Sequence, residues 1–174
     1  METQPFDPFD VASLYTKHAE AEAVKEANAY RTLPTASYRL TTRKIEYRVC
    51  PESGTWPGAE LVHLQVDALQ RDAEVPRKGV LFFDISYQTL RNREGRLESP
   101  TRLWGNYEKA LGVIGKNAGE VLEAVTLYPV DAYVTESFKT LAGYRTPKTP
   151  QDREELVQAG YEARNFVQNV RAAK

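Results

Sequence analysis

Basic and aromatic side chains alternate through the central part of the chain, and this mixture could bind a nucleic acid. An exposed ring that stacks on a base contributes about 1–3 kcal/mol, while cations follow the phosphates of the backbone. The basic residues form two groups, one before residue 50 and one after residue 90. The candidate nucleic-acid-binding residues are Arg39, Arg43, Lys44, Tyr47, Arg48, Trp56, Tyr87, Arg91, Arg93 and Arg96.

The sequence lacks the motifs that are typical of nucleotide-binding and nucleophilic enzymes. It contains neither a glycine-rich phosphate-binding motif nor a Gly-x-Ser-x-Gly turn. Two histidines and Cys50 cannot by themselves supply the four ligands of a zinc site. Three carboxylates, Glu60, Asp67 and Asp84, fall on neighbouring predicted strands and leave open a Mg²⁺-dependent nuclease. We therefore expect a binding protein without catalytic residues, metal or cofactor, and keep the nuclease as an alternative.

The charge of the 174-residue chain is unevenly distributed, although its net value is only −1. Residues 37–116 carry thirteen basic and ten acidic side chains, whereas residues 1–36 carry three basic and six acidic ones. Nucleic-acid-binding domains are usually far more basic, so this pattern permits only a local basic surface. No apolar run approaches the roughly 20 residues of a membrane span, and the N-terminus lacks a secretory signal pattern. We expect a cytoplasmic protein.

The hydrophobic pattern predicts four strands and several helices. The strands are Ser37–Cys50, Glu60–Leu69, Gly79–Tyr87 and Pro129–Leu141, and the helices are 9–30, 99–111, 118–125 and a last one from Thr149. The apolar parity changes within the first strand, which predicts a bulge near Thr41–Lys44. The third strand is almost continuously apolar from Val80 to Phe83, which predicts that both of its faces are covered.

This order of elements predicts an α+β fold built on a small OB-like β-barrel of about five antiparallel strands. The helices would be an N-terminal one, an inserted pair and a C-terminal one. The fifth strand would lie near Leu127–Tyr133 or come from a split of the last strand. The expected organisation is a helical arm over residues 1–36, the barrel over 37–141 and a C-terminal helix over 142–174.

Short segments between residues 37 and 135 together resemble a phage-associated family of OB-fold, single-stranded-DNA-binding-like proteins. They are Ala36-Ser-Tyr-Arg-Leu40, Pro57 to Val66, Lys78 to Ser86, Leu103-Trp104, Ala110-Leu-Gly112 and Val130 to Thr135. The 36-residue lead and the final helix depart from that family, as does the absence of a basic net charge. The resemblance implies a phage or prophage accessory protein that binds single-stranded DNA or RNA.

A second function, from a different class, stays open beside this one. In it, the barrel is a scaffold and the terminal helices make contacts in an assembly such as a virion. The expected partners are therefore single-stranded nucleic acid, a protein bound through the N-terminal helix, or a second copy of the chain, and not a membrane. A stable homo-oligomer that ignores DNA would favour the assembly role.

Overall fold

The computed structural model describes residues 32–174, and its central feature is an antiparallel sheet of six strands. The described residues also form three helices. In chain order the elements are β1 (Ala36–Val49), β2 (Glu60–Gln70), β3 (Lys78–Ile85), α1 (Ser99–Leu111), α2 (Ala118–Leu127), β4 (Val130–Thr140), β5 (Gly143–Arg145), α3 (Pro150–Gln158) and β6 (Ala163–Ala172). The predicted N-terminal helix lies outside the described residues.

The strands pair in the order β3-β2-β1-β4, with β5 and β6 both joined to β4. Residues Ala36–Leu40 of β1 pair with Val130–Val134 of β4. Beyond this region β4 pairs with β5 from Phe138 to Thr140. On its other edge β4 pairs with β6 from Val130 to Phe138. The β3-β2-β1 part of the sheet is thus a local meander, whereas the pairing of β1 with β4 joins segments that are distant in the chain.

The predicted OB-like barrel is wrong, because the sheet of residues 32–174 is not closed. In this part of the chain β3 pairs only with β2, and β6 pairs only with β4. Helix α1 contacts both of these edge strands. Its Leu103, Trp104 and Tyr107 belong to the same buried core as the inward residues of the sheet. Helix α1 therefore packs against both of the edges that barrel closure would have joined.

The bulge predicted in the first strand is confirmed, and it decides which residues enter the core. The pairing of β1 with β2 shifts between Thr42 and Lys44. Before the shift, Tyr38 and Leu40 face the helices and are buried. After it, Ile45 takes the inward position opposite Leu64. The bulge turns the cationic side chain of Lys44 to the opposite face of the sheet, because successive strand residues alternate between faces.

The predicted C-terminal helix is correct only for its first part. Thr149 caps α3, since its hydroxyl accepts a hydrogen bond from the Asp152 amide, and Pro150 follows at the first helical position. Gly160 then adopts a left-handed conformation with φ of 80°, which ends the helix. The apolar residues Val167 and Val170 belong to strand β6 and pack in the sheet core. The extra strands are therefore β5 and β6, rather than a segment near Leu127–Tyr133.

No helix within residues 32–174 combines the length and the hydropathy needed to cross a bilayer.

Candidate nucleic-acid interface

The face of the β1–β2–β3 meander that points away from the helices carries the best candidate site, and we call it the outer face. It is defined by the pairing, because residues directly opposite each other on neighbouring strands point to the same side. Its exposed and half-buried residues are Arg39, Thr41, Lys44, Glu46 and Arg48 of β1, His63, Gln65, Asp67 and Leu69 of β2, and Lys78, Val80, Phe82 and Asp84 of β3. The buried residues of the opposite parity, such as Val62, Leu64 and Val66 of β2, belong to the core that also includes the helices.

Phe82 is the main aromatic side chain of the outer face. It is 60 % exposed, although large apolar side chains usually gain by burial. Its ring lies 5.8 Å from the His63 ring with an angle of 13° between the planes, so the two rings are stacked. His63 Nδ1 lies 2.9 Å from a carboxylate oxygen of Asp84, which fixes the orientation of the imidazole. The exposed Phe82 ring is thus supported by the stacked His63 ring, which is itself held by Asp84.

A cleft of about 190 Å³ opens beside the Phe82 ring. The residues that line it are Lys44, Glu46, Arg48, His63, Gln65 and Phe82. Sites for cofactors and drug-sized ligands usually measure about 300–1,000 Å³, so this cleft suits one flat group at a time. Its lining combines an aromatic surface, two cations and two hydrogen-bonding side chains.

Most of the predicted cations on β1 are already paired with carboxylates. Arg39 lies 3.1 Å from Asp131, Arg43 lies 2.8 Å from Asp67, and Arg48 lies 3.9 Å from Glu46. Lys44 forms no ion pair within residues 32–174. The Arg48 pair is long and exposed, and such pairs contribute little. Lys44 and Arg48 are therefore the cations of β1 that are most available to a phosphate.

The three aromatic residues predicted for the site lie away from the outer face. Tyr47 is 67 % exposed but belongs to the helix side of β1. Trp56 is half-buried in the loop between β1 and β2, where its indole N–H has no partner within residues 32–174. Tyr87 follows β3, contacts Trp104 edge-on with 6.0 Å between ring centroids, and donates its hydroxyl to Glu60. That hydrogen bond raises the pKa of Tyr87.

The predicted basic loop after β3 forms an ordered turn of its own. Arg91 pairs with Leu97 across the turn, and the Asn92 side chain accepts hydrogen bonds from the amides of residues 94 and 96. Gly95 adopts a φ of 81°, which the turn requires. The side chain of Arg91 donates to the Gly95 carbonyl at 2.7 Å, while Arg93 and Arg96 are exposed. The turn thus presents two arginines to solvent.

A second and larger cavity, of about 500 Å³, lies between this turn and α1. Tyr87, Leu97, Trp104 and Lys116 are among its lining residues. The hydroxyl of Thr101, which also lines it, is already used, because it donates to the Gln88 carbonyl and accepts from the Leu90 amide. The sequence-predicted residues therefore do not form one site: Arg39, Lys44 and Arg48 lie on the outer face, whereas Tyr87 lines this cavity.

The three carboxylates of the nuclease alternative each bond to a different partner. Asp67 pairs with Arg43, Asp84 with His63, and Glu60 with Tyr87. Within residues 32–174 no group of three or more His, Cys, Asp or Glu side chains is placed to hold a metal ion. The arrangement gives these carboxylates structural hydrogen bonds and no shared site.

Four residues of the cleft were omitted by the sequence-based prediction, namely Glu46, His63, Gln65 and Phe82. The continuous apolar run of β3 predicted burial on both faces, but Val80 and Phe82 are 41 % and 60 % exposed. A signal was present in β2, where His63 and Gln65 alternate with buried Val62 and Leu64. The pairing of Gln65 with Phe82 then places that ring on the same outer side.

Comparison with known proteins found no family model, curated protein or solved structure that matches this chain, so the resemblance to a phage-associated family stays a prediction.

Proposed function

We propose that the protein binds single-stranded nucleic acid through the outer face. The observation that carries the proposal is the exposed Phe82 ring, which is stacked on His63 and shares a cleft with Lys44 and Arg48. An exposed ring offers a base a stacking surface, and the neighbouring cations are suited to phosphates. On the outer face as a whole, basic side chains outnumber carboxylates.

The chemistry of the face favours a single strand over a duplex. In a duplex the faces of the bases are stacked on each other, so an aromatic side chain on a flat sheet cannot reach them. In a single strand the bases can be turned out onto a sheet surface, as in RNA-binding modules that stack bases on strand aromatics. The Phe82 ring can therefore stack on a base only when the nucleic acid is single-stranded.

We extend the proposal to the biological setting on the strength of the resemblance alone. The protein would be an accessory factor of phage or prophage origin that acts in the host cytoplasm on single-stranded DNA or RNA. The stretches that carry the resemblance include Lys78 to Ser86, the segment to which Phe82 belongs.

The first test removes the stacking surface. Phe82→Ala should weaken binding of a fluorescent oligo-dT by roughly tenfold or more, because loss of one stacked base costs about 1–3 kcal/mol. Fluorescence anisotropy measures the affinity. Tyr128→Ala is the matched control, since Tyr128 is 59 % exposed at the end of α2 and should leave the affinity unchanged. Equal affinities of wild type and Phe82→Ala would contradict the proposal, and a stable oligomer without DNA binding would favour the assembly role.

The second test concerns the phosphate contacts. Binding to a single strand should weaken with salt, and each neutralised phosphate contributes about 0.7 to the slope of log affinity against log salt. Lys44→Gln and Arg48→Gln should each lower this slope by about that amount. Arg39→Gln serves as a comparison, because Arg39 is engaged with Asp131 and should change the slope less. A salt-independent affinity would exclude the outer face as a phosphate-binding surface.

A further inference from the structure

The cleft beside Phe82 contains hydrogen-bonding groups that no protein group uses. The Gln65 amide is half-buried and has no hydrogen-bond partner within residues 32–174. The Glu46 carboxylate has only the 3.9 Å contact with Arg48. Both side chains line the same 190 Å³ space as the Phe82 ring. A ligand with matching donors and acceptors can replace the water on these accessible groups by direct hydrogen bonds, which gives it selectivity over a ligand that cannot.

From these groups we infer that the cleft selects bases with an exocyclic amino group, namely cytosine, adenine and guanine, over thymine and uracil. The inference rests on the proposed function and specifies its ligand. A carboxylate only accepts hydrogen bonds, and an amino group offers it the donor it needs. Gln65 can at the same time donate to an acceptor on the same base edge.

Thymine and uracil fit the same groups poorly. Their exposed edge has a single N–H between two carbonyl oxygens, and both oxygens would lie close to the Glu46 carboxylate. Two acceptors facing one another repel, so the hydrogen bond to the N–H is largely offset. Cytosine has nearly the same size as thymine but presents an amino group and a ring nitrogen. The two pyrimidines therefore isolate the hydrogen-bonding contribution from stacking.

The position of the two side chains agrees with a base lying on Phe82. Gln65 sits directly opposite Phe82 on the neighbouring strand, and Lys44 sits opposite Gln65 on its other side. Glu46 lies one position further along the same face of β1, opposite His63. A base stacked on the ring thus extends over Gln65 towards β1, where its edge meets Glu46 and its phosphate can approach Lys44.

The experiment compares oligo-dC and oligo-dT of equal length by fluorescence anisotropy with the wild-type chain and two variants. Wild type should bind oligo-dC about five- to tenfold more tightly. Glu46→Gln should bring this ratio close to one, mainly by strengthening oligo-dT binding, because an amide can donate to a carbonyl oxygen and carries no charge. Lys44→Gln should weaken binding of both oligonucleotides while keeping the ratio.

Each outcome bears on one proposal. If both oligonucleotides bind with equal affinity and salt dependence, the base preference is wrong and the proposed function stands. If neither binds, the proposed function itself is wrong. A preference for oligo-dC that persists unchanged in Glu46→Gln would also overturn the inference, because the discrimination would then arise elsewhere. A ratio that falls in Glu46→Gln and is kept in Lys44→Gln would support it.

Discussion

Two buried tyrosines in the core differ in the bonding of their hydroxyl groups. Tyr38 is fully buried and donates to the Pro34 carbonyl at 2.5 Å. Tyr107 is 1 % exposed, and its hydroxyl has no partner within residues 32–174. Burial raises the pKa of Tyr38 to about 12, and it raises the pKa of Tyr107 as well. Both rings contribute to the core, but only one hydroxyl is compensated for its loss of water.

We expect the two Tyr→Phe variants to differ in stability. Tyr38→Phe should lower the free energy of unfolding by about 1 kcal/mol, because it leaves the Pro34 carbonyl without its donor. Tyr107→Phe should leave the stability unchanged or raise it by up to about 1 kcal/mol, since it removes an unpaired buried hydroxyl. Urea unfolding followed by circular dichroism measures both. An equal loss in the two variants would mean that the Tyr107 hydroxyl is bonded in solution.

For single residues, the sequence located the cations better than it predicted the groups that surround them. Lys44 and Arg48 were named from the spacing of cations, and they do line the cleft. Phe82 was omitted because an apolar run gives no information about which edge of a sheet its strand occupies. Arg39 and Arg43 were named as nucleic-acid-binding residues, yet each is paired with a carboxylate, Asp131 or Asp67, that lies far away in sequence. Pairings of this kind depend on the fold and leave no local pattern.

Helix α3 is anchored to the sheet by few side chains. Its single buried residue is Leu156. A second anchor is Arg153, whose guanidinium binds both carboxylate oxygens of Glu136 on β4 at 2.6 and 3.2 Å. The Glu136 side chain is 3 % exposed, while that of Arg153 is 49 % exposed. This hydrogen bonding raises the pKa of Arg153, so its guanidinium group stays charged.

Arg153→Met should destabilise the protein because it takes a cationic partner away from a buried carboxylate. Removing one member of a fully buried pair costs about 3–5 kcal/mol, and partial exposure of Arg153 should reduce the loss to about 2 kcal/mol. The control is Arg145→Met, whose arginine side chain is 59 % exposed and pairs with Asp152 on the same helix. That change should cost less than about 1 kcal/mol. Equal midpoints of the two variants in urea unfolding would contradict the role given to Glu136.

For helices and strands, predictions from local sequence signals were correct, whereas predictions that depend on pairing between distant segments were not. The bulge in β1 and the helices α1 and α2 follow from parity, capping and apolar spacing near each segment. The prediction of helix continued through residues 163–172 because Val167 and Val170 also fit a helical stripe. Their position opposite Val134 and Ala132 of β4 decides in favour of a strand. Tertiary pairing thus overrode a local pattern that was compatible with both structures.

Asp131 links three distant parts of the molecule. Its carboxylate lies 3.1 Å from Arg39 Nε on β1 and 3.9 Å from Arg71 after β2. The other oxygen accepts the Lys174 amide at 3.1 Å. Burial by itself raises the pKa of Asp131, but the hydrogen bonds from Arg39 and Lys174 and the charges of the two arginines outweigh it. The net result is a pKa below the ordinary value of 3.8.

Because the pKa of Asp131 is lowered, the free energy of unfolding should decrease as the solution becomes acidic. A group whose pKa falls on folding stabilises the native state above its unfolded value and loses that contribution as the pH falls. Asp131→Asn should therefore cost about 1–2 kcal/mol at pH 7, and the difference from wild type should narrow as the pH drops below about 4. Urea unfolding at several pH values measures it. The control is Asp67→Asn, which removes an exposed ion pair and should change stability little at any pH. A stability difference between Asp131→Asn and wild type that widens in acid would contradict this account.

The α+β composition and the antiparallel meander could be predicted from the sequence, whereas the architecture could not. A bent first strand followed by two strands and a helix is equally compatible with a closed barrel and with an open sheet. The choice depends on where α1 packs: its Trp104 and Tyr107 lie in the core, and the helix contacts both β3 and β6. A pattern of apolar residues predicts that a helix is buried, but it does not predict which strands the helix packs against.

The pairing of β1 on both edges has a consequence for how the chain matures. As the polypeptide leaves the ribosome, β1, β2 and β3 can assemble early, because they are consecutive in the chain and each connection between them is a single loop. The other edge of β1, from Ala36 to Leu40, has to wait until two helices and β4 have been synthesised. During that interval an uncovered strand edge is open to association with other nascent chains. Slower synthesis lengthens this interval and should therefore lower the yield of soluble protein.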